Sequence, residues 1–115
     1  MIIKLVDKAG RTDSLIEELT RVWKESVRAT HLFLSEDAIA EIRQFVPEAL
    51  RKVAQLIMSV NALKEPIGFM GVQDRSIEML FISPDSRGKG IGKELVSYGI
   101  EAFATNRVTV NEQNP

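Results

Sequence analysis

The sequence predicts a mixed α/β fold of the α+β kind, a largely antiparallel sheet flanked by helices in the order β-α-α-β-β-β-α-β. Three observations predict it. Short apolar runs at 53–60, 67–73 and 77–82 are joined by links of hairpin length, which makes three antiparallel neighbours. Two stretches, 15–27 and 91–103, repeat their apolar residues at helical spacing. A glycine-rich turn joins the last of the three strands to the second of those helices.

Taken in order, Ile2 to Val6 forms the first strand. Ser14-x-x-Glu17 has the form of a capping box, and Leu15, Leu19, Val22, Trp23 and Val27 follow on one helical face, with Trp23 in the core. Ser35 is the N-cap of a second helix, with Glu36 and Asp37 in its first turn and Ile39, Ile42 and Val46 on one face. Pro47 is expected to close that helix. The strands Val53–Val60, Ile67–Gln73 and Ile77–Ile82 come next, turning at Asn61–Pro66 and at Asp74-Arg75. The long helix is expected to turn Ile91, Leu95, Ile100 and Phe103 toward the sheet, and Val108 and Val110 alternate with polar residues as a fifth strand.

Composition narrows the functional classes. At 115 residues the chain is read as a single domain, 1–115, with 44% hydrophobic and 27% charged residues. A net charge of −1 gives no reason to expect nucleic acid or an anionic membrane as partner. There is no cysteine, which excludes disulfides, a catalytic thiol, an acyl-Cys intermediate and thiolate zinc sites, and no metal is expected. No apolar run approaches membrane-spanning length, and the first residues read as a strand rather than a signal peptide, so a cytoplasmic location is expected.

The glycine-rich turn carries the chemistry. Arg87-Gly88-Lys89-Gly90-Ile91-Gly92 places three glycines in five residues ahead of a helix. Glycine lets the backbone curl so that successive N–H groups converge. The helix start adds unpaired donors and a partial positive charge. With Arg87, Lys89 and Lys93 alongside, the turn predicts a phosphate or pyrophosphate site. Two familiar phosphate loops do not fit. The dinucleotide fingerprint needs glycine where Lys93 stands, and the P-loop needs Ser or Thr where Glu94 stands and glycine where Arg87 stands.

The residues that do fit are those of the Arg/Gln-x-x-Gly-x-Gly/Ala pattern, and with Glu78 to Asp85 before them and Lys93-Glu94-Leu95 after, the chain resembles the GCN5-related N-acetyltransferase (GNAT) family. The resemblance covers the whole chain. It implies acetyl-CoA as cofactor, its pyrophosphate on Arg87, Gly88, Lys89, Gly90, Ile91, Gly92 and Lys93, with Asn114 a further coenzyme contact. It also implies that main-chain N–H groups of Leu80, Phe81 and Ile82 meet the pantetheine arm and acyl carbonyl. The linker Thr30-His31-Leu32-Phe33 then lines the acceptor side, with Thr30, His31 and Phe33 as substrate contacts. Family domains continue with a helix and one or two strands, so the chain reads as incomplete at its C-terminus. The tyrosine that serves as general acid in that helix has no counterpart, since Tyr98, the single tyrosine, lies in the helix after the glycine turn.

Acetyl transfer to an amine needs a proton acceptor, because an amine of pKa ~10.4 is neutral in only a few molecules per ~10,000 at pH 7. Glu78, placed by alternation with Ser76, Leu80 and Ile82, is one catalytic candidate; a solvated strand glutamate is its plain alternative. His31, the single histidine, is the other, with an ordinary pKa near ~6.5; a helix-end histidine bonded to carbonyls is its alternative. The resulting expectation is an N-acetyltransferase that moves an acetyl group directly to a primary amine of a small molecule or peptide. The alternatives are a non-catalytic acetyl-CoA-binding module and a fragment that needs a partner chain. An uncovered edge at the fifth strand favours a homodimer.

Overall fold

The computed structural model describes residues 2–30 and 34–108. The elements are β1 (Ile2–Val6), α1 (Asp13–Thr30), α2 (Glu36–Arg43), α3 (Val46–Lys52), β2 (Gln55–Val60), β3 (Pro66–Gln73), β4 (Ser76–Ile82), a short 3-10 turn (Pro84–Ser86), α4 (Ile91–Phe103) and β5 (Arg107–Val108). The sheet runs β1-β2-β3-β4-β5. The first three pairings are antiparallel and the last is parallel. Hairpins join β2 to β3 and β3 to β4, β1 reaches β2 through the three helices between them, and the passage through α4 allows the parallel pairing of β5.

Both faces of the sheet are covered, which is why β3 reads as a nearly unbroken apolar run. On one face α1, α2 and α3 contribute Ile16, Leu19, Val22, Trp23, Val27, Ile39 and Leu50 to a cluster with Leu56 and Phe69. On the other, Ile91 and Leu95 of α4 pack on Ile57, Met70, Val72 and Ile77. Gly99 brings α4 close: a Cβ there would stand 2.9 Å from Met70 Cε.

Several local expectations give way to tertiary demands. The cap of α1 is Thr12, whose hydroxyl accepts the Leu15 N–H at 3.2 Å, and Ser14 lies inside the helix. Pro47 does not close the second helix. The chain leaves α2 at Arg43 and starts α3 at Val46, with Pro47 in the first turn, where a missing N–H costs nothing. Val53 caps the extra helix and forms with Ala54 the bend that follows it, so β2 begins at Gln55 and Val53 joins the helical cluster. Ile100 stands half a turn around α4 from Ile91 and is 54% exposed, while Gly99 takes the inner position. Of the fifth strand, Arg107 and Val108 pair with β4, and Val110 lies outside the described residues.

A buried arginine joins the layers. Arg11, 8% exposed, donates from Nε to Val6 O, from Nη1 to Leu50 O, Arg51 O and Val53 O, and from Nη2 to Ala54 O. Lys8 Nζ adds bonds to Arg51 O, Lys52 O and Val53 O. Two cations therefore close the C-terminus of α3, whose last carbonyls lack helical partners. Burial lowers the pKa of the Arg11 guanidinium from its ordinary value, and the charge of Asp7 opposes that shift.

Replacing Arg11 with Met should cost about 3 kcal/mol or more, because several buried carbonyls lose their donor at once. Arg11→Lys should recover only part of the loss, since one nitrogen cannot span acceptors on both sides. Denaturant unfolding of the two variants measures this. Ser59 is wholly buried in β2 and its Oγ has no hydrogen-bond partner. Ser59→Ala should therefore be neutral or stabilising by up to about 1 kcal/mol, read as a rise in Tm.

Candidate active site

The glycine turn adopts the backbone its sequence requires. Gly88 and Gly90 both have φ of +79°, and a Cβ on either would meet nothing within 4 Å. Gly90 caps α4 without a side-chain bond, and the first helical bond is Glu94 N–H to Gly90 O at 3.0 Å. The N–H groups of Ile91, Gly92 and Lys93 consequently have no acceptor within the helix and mark its positive end. Lys89 and Lys93 are exposed beside them, and neither forms an ion pair among the described residues. Ile91 turns its side chain into the core, so only its main chain is available to a ligand.

Arg87 is the member of this group that behaves differently. Its Nη2 donates to Ser26 O at 3.2 Å and lies 3.1 Å from Ser26 Oγ, which ties the turn to α1. Nothing in the sequence flags Ser26, because the contact spans 61 residues.

β4 delivers the rest of the site. Ser83 N–H bonds to Ile67 O at 2.8 Å, so Phe81 and Met79, of the same parity, also turn their main chain toward β3. Leu80 and Ile82 turn theirs to the outer edge, where β5 pairs only with Ser76 and Ile77 among the described residues. Of the three main-chain positions expected to meet a ligand, Phe81 is thus committed to the sheet. Its ring packs on Phe69 with centroids 5.6 Å apart.

Period-two alternation does not run the length of β4. Gly71 pairs with Met79 and Val72 with Ile77, which leaves Glu78 as the extra residue of a bulge. Ile77 therefore packs with Ile82 on the α4 face, whereas Met79 and Phe81 pack on the α1 face. Glu78 is exposed and within 3.3 Å of Ser76 Oγ through Oε2. Together with Gln73, Asp74, Arg107 and Val108 these two residues line an open cavity of about 330 Å³.

Positive-φ backbone borders that cavity. Asp74 and Arg75 turn the β3–β4 hairpin at φ 50° and 66°, and Ala104 ends α4 at φ 53°. These three are bonded together: Arg75 Nε donates to Ala104 O, Asn106 N–H to Arg75 O, and Arg107 Nη2 to Asp74 O. Sequence reasoning placed the hairpin but not this linkage, which brings Asp74 and Arg107 beside Glu78.

His31 and Phe33, like Asn114, lie outside the described residues, as does the side chain of Thr30. Tyr98 packs against the α4-side core, edge to face with Phe103, away from the cavity residues. No helix among the described residues is long and apolar enough to cross a membrane.

A family model described as an acetyltransferase (GNAT) domain matches residues 21–115. The peptidyl-lysine N-acetyltransferase YjaB of Salmonella typhimurium is 42% identical over 98 residues, which cover 85% of this chain and 67% of that protein. Its Escherichia coli namesake is 40% identical over 102 residues, covering 85% and 66%. The chain spans about two thirds of the length of these curated relatives. The solution structure of apo-form YjaB from Escherichia coli matches with a TM-score of 0.79 at 34% identity, over 99% of this chain and 75% of that one. The PaiA N-acetyltransferase of Thermoplasma acidophilum, solved in complex with coenzyme A, shares the fold with a TM-score of 0.74 at 22% identity, over 99% and 82%.

Gly90→Asp should leave the chain folded, because the site has room for a side chain and aspartate tolerates positive φ. Its carboxylate would face the anion meant for the helix start, and coenzyme A affinity should fall at least about tenfold, or ~1.4 kcal/mol. Calorimetry on the folded variant measures it.

Proposed function

The chain belongs to the GNAT acetyltransferase family, and we propose that within it this protein transfers the acetyl group of acetyl-CoA directly to the side-chain amine of a peptidyl lysine. One observation carries the reading: a glycine turn and helix start fit for a pyrophosphate lie at one end of β4, and a bulged carboxylate lies toward the other. From Ile82 to Glu78 the strand advances about 13 Å at ~3.3 Å per residue. A pantetheine arm following that edge would meet the N–H groups of Ile82 and Leu80 and bring its thioester toward the bulge. The peptidyl-lysine acceptor is taken from the names of the relatives at 40–42% identity.

In the reaction the amine nitrogen attacks the thioester carbonyl, the N–C bond forms and the C–S bond breaks. The acceptor's proton leaves and the departing thiolate gains one. In this reading the outward N–H groups of β4 hold the carbonyl oxygen as it gains charge. Glu78 is the proposed proton acceptor, directly or through one water. His31 is a second proposed acceptor, on the segment after α1.

The test is purified protein with acetyl-CoA and a lysine-bearing peptide, followed by thiol release and by the mass of the peptide. Thiol release with an acetylated peptide is the expected result. Coenzyme binding without any transfer would leave a binding module and overturn the enzymatic reading. Glu78→Gln should lower kcat about 100-fold while changing the KM for acetyl-CoA little. The deficit should shrink as pH rises toward the lysine pKa of ~10.4, because the acceptor then loses its proton unaided. A flat ratio of variant to wild type across pH would exclude Glu78 as the proton acceptor.

A further inference from the structure

Charge alone makes Arg87 a phosphate ligand of the glycine turn, yet its guanidinium is engaged elsewhere. Nη2 contacts both the carbonyl and the hydroxyl of Ser26, a residue 4% exposed in α1. Ser26 sits four residues before the last residue of that helix, so its carbonyl is also the helical acceptor for the N–H of residue 30. A cation at this point is favoured by the negative end of the helix dipole. The Arg87 backbone, meanwhile, belongs to the turn: its N–H bonds to Pro84 O at 3.3 Å, and Gly88 follows at φ +79°. A guanidinium carries five N–H donors in a rigid plane, so contacts at one nitrogen leave others for an anion on the turn.

We propose that Arg87 is a positioning residue that transmits occupancy of the glycine turn to the last turn of α1. The route continues by packing. Val22, Trp23 and Val27 of α1 share a cluster with Met79 and Phe81, the inner-face residues that flank Glu78 and Leu80 on β4. A ligand that fixes Arg87 therefore stiffens the end of α1 and, through it, the strand that carries the reacting end of the site. The inference rests on coenzyme A being the ligand of the turn, as proposed above.

Arg87→Lys and Arg87→Ala test it, with coenzyme A itself as the probe. Hydrogen exchange of the amides of residues 27–30 is measured with and without coenzyme, and affinity is measured by calorimetry. In the wild type, coenzyme should slow exchange there at least about fivefold. In Arg87→Lys that response should vanish while affinity falls by less than about tenfold, and in Arg87→Ala both should fall, because the anion then also loses a cation. Arg87→Lys keeps the charge, so it separates a strut from a phosphate ligand, and it serves if Arg87→Ala fails to fold. Three outcomes overturn the proposal: a wild-type helix end that does not respond, a response that survives in Arg87→Lys, or a loss of affinity of about tenfold or more in that variant. A wild type that binds no coenzyme fails the reading of function itself, whereas binding without a response at 27–30 fails only the coupling.

Discussion

Five backbone carbonyls converge on the Arg11 guanidinium, and the relation between helices and sheet depends on their doing so. The acceptors come from the end of β1, the end of α3 and the approach to β2. The α3 carbonyls among them have no partner in their own helix, and those of Val53 and Ala54 lie in the connection to β2. One planar donor set satisfies them together, which a lysine or any neutral side chain cannot do. With that node in place β1 and β2 align, α3 stops where Val53 can enter the core, and α1 starts two residues after Arg11.

The site depends on β4 having two dissimilar edges. Toward β3 the strand is fully paired apart from the bulge. Toward β5 its partner is docked through the side chains of Arg75 in the hairpin and of Arg107 in β5 itself as much as through the ladder. Positive φ is costly for residues with a Cβ, and three of the four such residues described, Asp74, Arg75 and Ala104, lie in the hairpin and helix end beside β5, the fourth being Lys64 in the β2–β3 turn. The glycine turn, by contrast, is unstrained, because its two positive φ values fall on glycine. One end of the cleft is thus formed by sequence-local chemistry, and the other by mutual support among distant residues.

The turn from Arg87 to Gly92, the helix after it and the Asp74-Arg75 hairpin were legible because each is written in consecutive residues. So was the presence of an apolar stripe on α1, although its cap proved to be Thr12 and not Ser14. The reading of Pro47 failed for an instructive reason. Proline both ends helices and begins them, and only the packing of Val46 and Leu50 beneath α1 selects the second role. Apolar character does not by itself mean burial: Gly99 permits a closer helix, and the 180° offset from Ile91 turns Ile100 outward.

By itself the sequence determined the class of fold and the glycine turn, since periodicity and turn chemistry act over a few neighbouring residues, and its motif residues carried the resemblance to the family. Only the tertiary structure decided that Glu78 stands in a bulge beside Asp74 and Arg107, that Phe81 spends its main chain on β3, and that Arg87 reaches Ser26. Those facts turn on strand register and on contacts between residues far apart in the chain, 61 positions for Arg87 and Ser26. A side chain's partner at that range is chosen by which surfaces the packed layers bring together, and no local pattern encodes it.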